Sequence, residues 1–413
     1  MKRAALCALA LLSSPAFGAG LSRPNVLGPR AVGLGGAFAA VADDPTAVWH
    51  NPAGTAIYGD TSIYLGTEVV FTQRGYNPDP ASPIGIANAS TTPPTPNKNF
   101  IENTAPTVIP IIGMTTRFGF GKLPANRFAL SLLAYDVYGG SISFNSSDVQ
   151  NQGIQNTQIL DFEVTPTLAY QVTDVLSLGA GVRIGINSFS VNDIEAAFKA
   201  NLSALGVGIG GTLGMMLRPH RLVQIGVVYR TTLSTTMSGS GPVTPLGGIT
   251  ANHDASIAIT WPQSVALGVA FKPHSRILVT VQGDWTGWSS VQKLSLELSG
   301  LLPVVKQLRY SDTWALHLGL QSAVTRWLIG RVGFALDGNA IPDSTMRREN
   351  QDALKATLAV GGGLHFWKLF LDGAFEAFLP IGDRVIAKQG PDNEAGRYKA
   401  NVYMLEMSAQ IRF

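Results

Sequence analysis

Residues 176–187, LSLGAGVRIGIN, alternate without a break. Leu176, Leu178, Ala180, Val182, Ile184 and Ile186 share one side, and Ser177, Gly179, Gly181, Arg183, Gly185 and Asn187 share the other. A period of two is the signature of a β-strand with unlike faces. The same rhythm returns in 222–230, where Val223, Ile225, Val227 and Tyr229 oppose Gln224, Gly226 and Arg230. It returns again in 264–271 and in 313–321, and it closes the chain in NVYMLEMSAQIRF. No uninterrupted run of about 18 apolar residues follows the first 18, so the hydrophobicity lies in short alternating segments rather than in membrane helices.

A soluble β-sandwich also alternates, with its apolar side buried. Two features argue against it. The polar face is built from Gly, Ser, Thr and Gln, where a solvated face would carry Lys and Glu. The connections also divide into two kinds. Short turns fall near 121–126, 173–175, 219–220, 273–275, 325–327 and 366–368, whereas long polar loops are read at 73–105, 139–156, 192–204, 239–251, 294–310, 338–353 and 381–398. Short turns at one end and long loops at the other predict an all-β fold, a transmembrane antiparallel barrel of about 14 strands with both termini at the short-turn end. Lipid offers no hydrogen-bond partner to a sheet edge, so the last strand must pair with the first. In that last strand Tyr403, Leu405, Met407, Ala409, Ile411 and the terminal Phe413 share a face. An aromatic terminus in this register resembles the signal read by the barrel assembly machinery, which makes that machinery an expected partner together with the lipids of the outer membrane.

Composition agrees. Only 14% of the 413 residues are charged and 45 are glycine, and mean hydropathy is +0.18; soluble domains carry about a quarter charged residues. Lys2 and Arg3, the apolar stretch Ala4–Leu12 and the Ala16-Phe17-Gly18 site read as a signal peptide over 1–18. Without it, 28 basic residues face 27 acidic ones, so nothing recommends a nucleic-acid partner. The single cysteine, Cys7, falls in the signal peptide, which leaves no disulfide or thiolate chemistry. The six histidines show no metal-ligand spacing, GLGGAF lacks the flanking strand and helix of a dinucleotide site, and no Gly-x-Ser-x-Gly or phosphate-binding loop occurs. The expectation is a protein with no enzymatic activity, cofactor or metal.

The stretch GPRAVGLGGAFAAVADDPTAVWHNPAGTAIY precedes the first strand. With WPQSVALGVAFKPHSRILVTVQGDWTGWSSVQKL and RYSDTWALHLGLQSAVTRWLIGRVGFALDGNAIPDST, it resembles the FadL/TodX family of outer-membrane transporters for long-chain fatty acids and other hydrophobic compounds. One departure is Ala340, where the family's late loop has a proline. A related opening occurs in secretion-associated barrels that bind protein partners; the downstream segments favour the transporter. The resemblance implies a hatch over 19–60 plugging a barrel over 61–413 in the bacterial outer membrane, with the Asn-Pro-Ala triplet at Asn51, Pro52 and Ala53 and with Gly33, Gly35 and Gly36 allowing close packing in the lumen. It implies passive uptake of a hydrophobic small molecule, hatch rearrangement, and lateral exit at a kink in the third strand, read here over 127–138 with Gly139 and Gly140 as the kink. Fatty-acid members use basic lumen residues against the carboxylate. The family's positions fall here on Ser188 and Ser311, with Arg183 and Arg309 nearby as candidate ligand residues, both turned inward by alternation. An inward arginine equally suits a structural network with lumen carboxylates such as Asp284, Asp372 or Glu376. The substrate is therefore read as a fatty acid, with neutral aromatic hydrocarbons as the alternative.

Overall fold

The computed structural model describes residues 27–57, 61–79, 100–101, 106–119, 126–143, 153–194, 198–245, 248–390 and 392–413. The expected signal peptide lies outside the described residues. The wall has fourteen strands. They are β1 (Ser62–Pro78), β2 (Thr107–Phe118), β3 (Phe128–Ser143), β4 (Gly153–Gln171), β5 (Leu176–Ile194) and β6 (Phe198–His220). Four further strands are each interrupted once: β7 (Val223–Arg230 and Leu233–Pro245), β8 (Ala251–Trp261 and Ser264–His274), β9 (Ile277–Thr286 and Lys293–Leu298) and β10 (Val304–Gln307 and Thr313–Ala323). The last four are β11 (Leu328–Asp337), β12 (Lys355–Phe366), β13 (Leu369–Pro380) and β14 (Gly396–Arg412).

Every neighbouring pair is antiparallel. β1 pairs with β14 along its whole length, from Ser62 opposite Arg412 to Pro78 opposite Gly396, so the sheet closes on itself. The faces are inverted relative to a soluble protein. Leu178 and Val182 on β5 are exposed, and so are Leu267 and Val269 on β8 and Leu316, Leu318 and Leu320 on β10. Their polar alternates Ser177, Arg183, Ser264 and His317 are buried in the lumen. An apolar exterior and a polar interior are what lipid outside and packed polar chain inside require.

Residues 27–57 fill the short-turn half of the lumen. A one-turn helix α1 (Pro29–Val32) is followed by turns at Gly35 and Gly36, then by α2 (Ala47–His50) and a 3₁₀ turn (Pro52–Ala56). Gly35 and Gly36 have positive φ, 61° and 91°. Gly33 is needed for a different reason: its helical backbone presses on Gly361 of β12, where an added Cβ would lie 3.2 Å from Cα. The segment contributes an apolar core, Ala31, Val32, Leu34, Phe38 and Ala42, packed on Met216 and Ala270 of the wall.

The strands rise further than alternation predicts. The loop expected at 192–204 is instead a tight hairpin: β5 runs to Ile194 and β6 starts at Phe198. The third strand runs to Ser143, so Gly139 and Gly140 lie inside it rather than after it. At the long-loop end both faces of the sheet carry polar residues, so the ladder continues where the hydrophobic period that betrays it has stopped.

Candidate functional site

The hatch segment is fastened to the wall at named points. Asn51 donates from Nδ2 to the Ala39 carbonyl at 2.9 Å and to the Met215 carbonyl of β6 at 3.0 Å, while its Oδ1 accepts from Ala53 N. Gln282 of β9 accepts from the amides of Phe38 and Ala39 at 3.0 and 2.8 Å. The Nδ1 of His317 on β10 lies 2.7 Å from the Gly35 carbonyl, and its Nε2 lies 3.3 Å from Asp284. Arg230 of β7 binds the Trp49 carbonyl and stacks its guanidinium 3.8 Å from the Trp49 ring centroid. Arg30 holds both Asp43 and Asp44. His50 donates to the Leu27 carbonyl at 2.8 Å, and burial pushes its imidazole down to about 3, so it stays neutral in place.

The wall answers with glycines. A Cβ on Gly226 of β7 would run into the Ala39 carbonyl, one on Gly333 of β11 into the Gly35 amide, and one on Gly214 of β6 into Asn51. At Gly179 of β5 it would lie 2.5 Å from Ala53 N. The glycines on the polar face of the alternating strands are therefore the seat of the hatch, including Pro52 and Ala53, and only a missing side chain admits this approach.

Above the hatch the lumen is apolar. Trp261 and Trp288, with Tyr138, Tyr310, Ile257 and Leu298, belong to one buried cluster. A cavity of about 140 Å³ opens within it, lined by Ile159, Phe189, Val191, Leu202, Ile259 and Leu296. Three cations, Arg74, Lys306 and Arg347, and one carboxylate, Glu349, border the cavity. Lys306 Nζ is shielded from solvent, forms no hydrogen bond among the described residues, and faces Glu349 at 3.6 Å. Burial would raise the Glu349 carboxyl, but Arg347, Lys306 and Arg348 hold it down at about 2. The segment after β11 forms the ceiling: Ala340, Ile341 and Met346 join the apolar cluster, Thr345 donates to the Leu308 carbonyl at 2.6 Å, and Arg384 ties Asp343 and the Ile341 carbonyl.

The wall beside this cavity is incompletely paired. β2 and β3 are in register only from Ile112 opposite Ala134 to Phe118 opposite Phe128. Beyond Ala134, alternation fails and Tyr135, Asp136, Val137, Tyr138 and Gly139 are all buried. The register of β3 on β4 slips between Asp136 and Tyr138, and Gly139 takes φ 151° with its Cα face against the Ile159 carbonyl. This is a β-bulge that swings β3 into the lumen. Pro110, with no N–H to donate, lies in the stretch of β2 that faces the missing ladder. Gly140 and Ser141, just past the bulge, line the cavity.

Of the candidate arginines, Arg183 points inward but is fully buried in a bidentate pair with Glu163, supported by Tyr135, and also donates to the Thr231 carbonyl at 2.8 Å. Arg309 corrects the expectation of an inward side chain. It sits outside any strand with φ 48°, is half exposed, and reaches Asp392 at 3.4 Å. Neither lines the cavity. Ser188 falls on the outward register beside the inward Asn187 and Phe189, and Ser311 is exposed between strand segments. Asp372 pairs with Arg331 at 2.7 Å, as a lumen network requires. Lys306 and Arg74 escape a sequence reading because neither stands in a motif. Pro110, a proline inside an alternating strand, was a usable signal of the unpaired edge.

A closed fourteen-stranded barrel, apolar outside, with residues 27–57 packed inside it and an apolar cavity beside a break in its wall, defines an outer-membrane β-barrel. The family described as outer membrane protein transport protein (OMPP1/FadL/TodX) matches residues 9–413, and the chain belongs to it. Its fold is similar to that of a Pseudomonas aeruginosa FadL homologue, with 19% identity, a TM-score of 0.80, and 96% of this chain and 100% of that one covered. It is also similar to the Ralstonia pickettii toluene transporter TbuX (17%, 0.74, 94% and 99%) and to the Pseudomonas putida toluene transporter TodX (16%, 0.71, 96% and 99%). No curated protein matches the chain by sequence. The family is one of transport proteins for hydrophobic compounds rather than enzymes.

Proposed function

We propose that this protein takes up long-chain fatty acids by passive, diffusion-driven passage. The cargo enters the apolar cavity with its carboxylate at Lys306, the hatch held by Asn51 shifts, and the cargo leaves sideways through the unpaired stretch between β2 and β3. The observation that carries this reading is the cavity's border of three cations to one carboxylate, with a half-buried lysine, Lys306, whose shielded amine faces Glu349 at 3.6 Å without a hydrogen bond among the described residues. A carboxylate at Lys306 would satisfy it by a charge-assisted hydrogen bond, of the kind worth about 1.5–3 kcal/mol. Lateral exit follows from transfer energetics: each CH₂ gains about 0.8 kcal/mol on leaving water, so release into lipid costs far less than release into the periplasm.

A second reading has its own observation. The cavity of about 140 Å³ is close in size to the ~150 Å³ apolar cavity that accommodates benzene, which favours a neutral aromatic hydrocarbon. Uptake of labelled oleate and labelled toluene by cells lacking their own transporter, expressing wild type or Lys306→Gln, separates the two. Oleate uptake that falls about ten-fold in the variant supports the fatty acid. Toluene uptake unchanged by the substitution, with no oleate uptake, replaces it with the aromatic. Uptake of neither by a correctly inserted barrel overturns both and leaves the secretion-associated, partner-binding reading.

A further inference from the structure

The short-turn end of the barrel, which faces the periplasm, carries a ring of positive charge. Arg117 and Arg127 flank the turn after β2, and Arg127 with Arg218 spans the turn after β4 at Asp174. Arg221 occupies the turn after β6, Lys272 the end of β8 and Arg276 the turn that follows it, Arg326 the turn after β10, and Lys368 the turn after β12. Arg412 ends the last strand. Asp174 is the only carboxylate on these turns among the described residues, and the nearby hatch acids Asp43 and Asp44 are engaged by Arg30. Arg221, Lys272, Arg276, Arg326 and Lys368 are exposed.

The charges are distributed around the perimeter, and outward-facing aromatics sit beside them. Phe118, Phe128 and Tyr170 stack at the end of β2, β3 and β4 with centroids 5.7 and 4.5 Å apart. Trp327 stacks on Phe366 at 6.1 Å, Trp367 is 92% exposed, and Lys368 lies 5.4 Å from the Trp367 centroid. Aromatic rings mark the level of the headgroups, so the cations lie at or just beyond the phosphates. From this juxtaposition we infer that the periplasmic rim binds the phosphodiester headgroups of anionic phospholipid in the surrounding leaflet. A protein partner would select a contiguous patch on one side. A ring that touches every short turn fits an annulus of lipid, and each cation at a membrane surface contributes about 1 kcal/mol toward anionic headgroups.

The test uses the full chain in phosphatidylcholine vesicles containing either bromine-labelled phosphatidylglycerol or bromine-labelled phosphatidylcholine, read by tryptophan quenching. Wild type should favour phosphatidylglycerol about five-fold, the factor one surface cation supplies, and the preference should fade in high salt. The combined variant Arg221→Gln, Lys272→Gln, Arg276→Gln, Arg326→Gln and Lys368→Gln should lose it. A charge-keeping variant, Arg221→Lys with Arg276→Lys and Arg326→Lys, should retain it, and far-UV circular dichroism checks that both remain folded. Equal quenching by the two lipids in wild type, or a preference unchanged in the glutamine variant, overturns the proposal. So does the absence of lipid preference together with rim-dependent retention of an acidic periplasmic protein, which would make the ring a protein-docking surface.

Discussion

At the scale of single residues, the glycines of the lumen decide how tightly the hatch is held. Gly226→Ala and Gly333→Ala each force a methyl group into hatch backbone, and overpacking of this kind costs about 1–3 kcal/mol. Each should loosen the plug and raise single-channel conductance in planar bilayers. Gly283→Ala is the matched control, because nothing lies within 4 Å of its added Cβ; its conductance should equal that of wild type. Asn51→Ala removes the side-chain hydrogen bonds to the carbonyls of Ala39 and Met215, at about 0.5–1.5 kcal/mol each, and should leak as well. His50 gives a pH dependence. Its folded pKa of about 3 is below its ordinary 6.5, so between these values the unfolded chain binds the proton and the folded chain does not. The His50 contribution is therefore fully present above about 6.5 and is lost as pH falls toward about 3, at up to about 1.4 kcal/mol per pH unit. Melting temperatures should drop more steeply over that window in wild type than in His50→Gln.

At the scale of elements, β3 determines the break in the wall. Its lower half, Phe128–Ala134, alternates and pairs on both sides, and its upper half pairs only with β4. The glycine pair in the sequence marked the kink, but the strand was expected to end at 138 rather than continue through it to Ser143. The sequence could not distinguish the two, because glycine both terminates and bulges strands. Gly139→Val places a β-branched side chain at φ 151° against the Ile159 carbonyl. The expected result is a folded barrel with uptake reduced at least ten-fold, read as labelled substrate per inserted protein; undiminished uptake would separate the bulge from the exit path.

At the scale of the whole molecule, closure and delivery are separable. Phe413 donates its amide to Thr61 at 2.8 Å, but its side chain is 59% exposed. Phe413→Ser should therefore leave the melting temperature of protein refolded in detergent nearly unchanged, since exposed substitutions usually fall within about 0.5 kcal/mol. If the terminal aromatic serves recognition by the assembly machinery, the amount of barrel in the outer membrane should fall several-fold, measured by immunoblot of membrane fractions. Equal loss in both assays would assign Phe413 to stability instead.

The barrel, its strand number and its inverted faces were legible in the chain because they depend on a local period of two and on spacing between turns, which lipid enforces along every strand. The small-residue opening and its glycines marked a segment able to pack closely against the wall, and residues 27–57 do so inside the barrel. Tertiary structure alone decided which partner each lumen charge meets and how deeply the pair is buried. Arg183 and Lys306 are both strand cations with a carboxylate partner, yet Arg183 closes a fully buried pair with Glu163 from a neighbouring strand, while Lys306 faces Glu349 at 3.6 Å on the border of an apolar cavity. That distinction depends on side chains brought together across strands that are far apart in sequence, and on the segment after β11, which brings Glu349 to Lys306. A strand pattern records which way a side chain points, but the partner it meets is set by closure of the sheet.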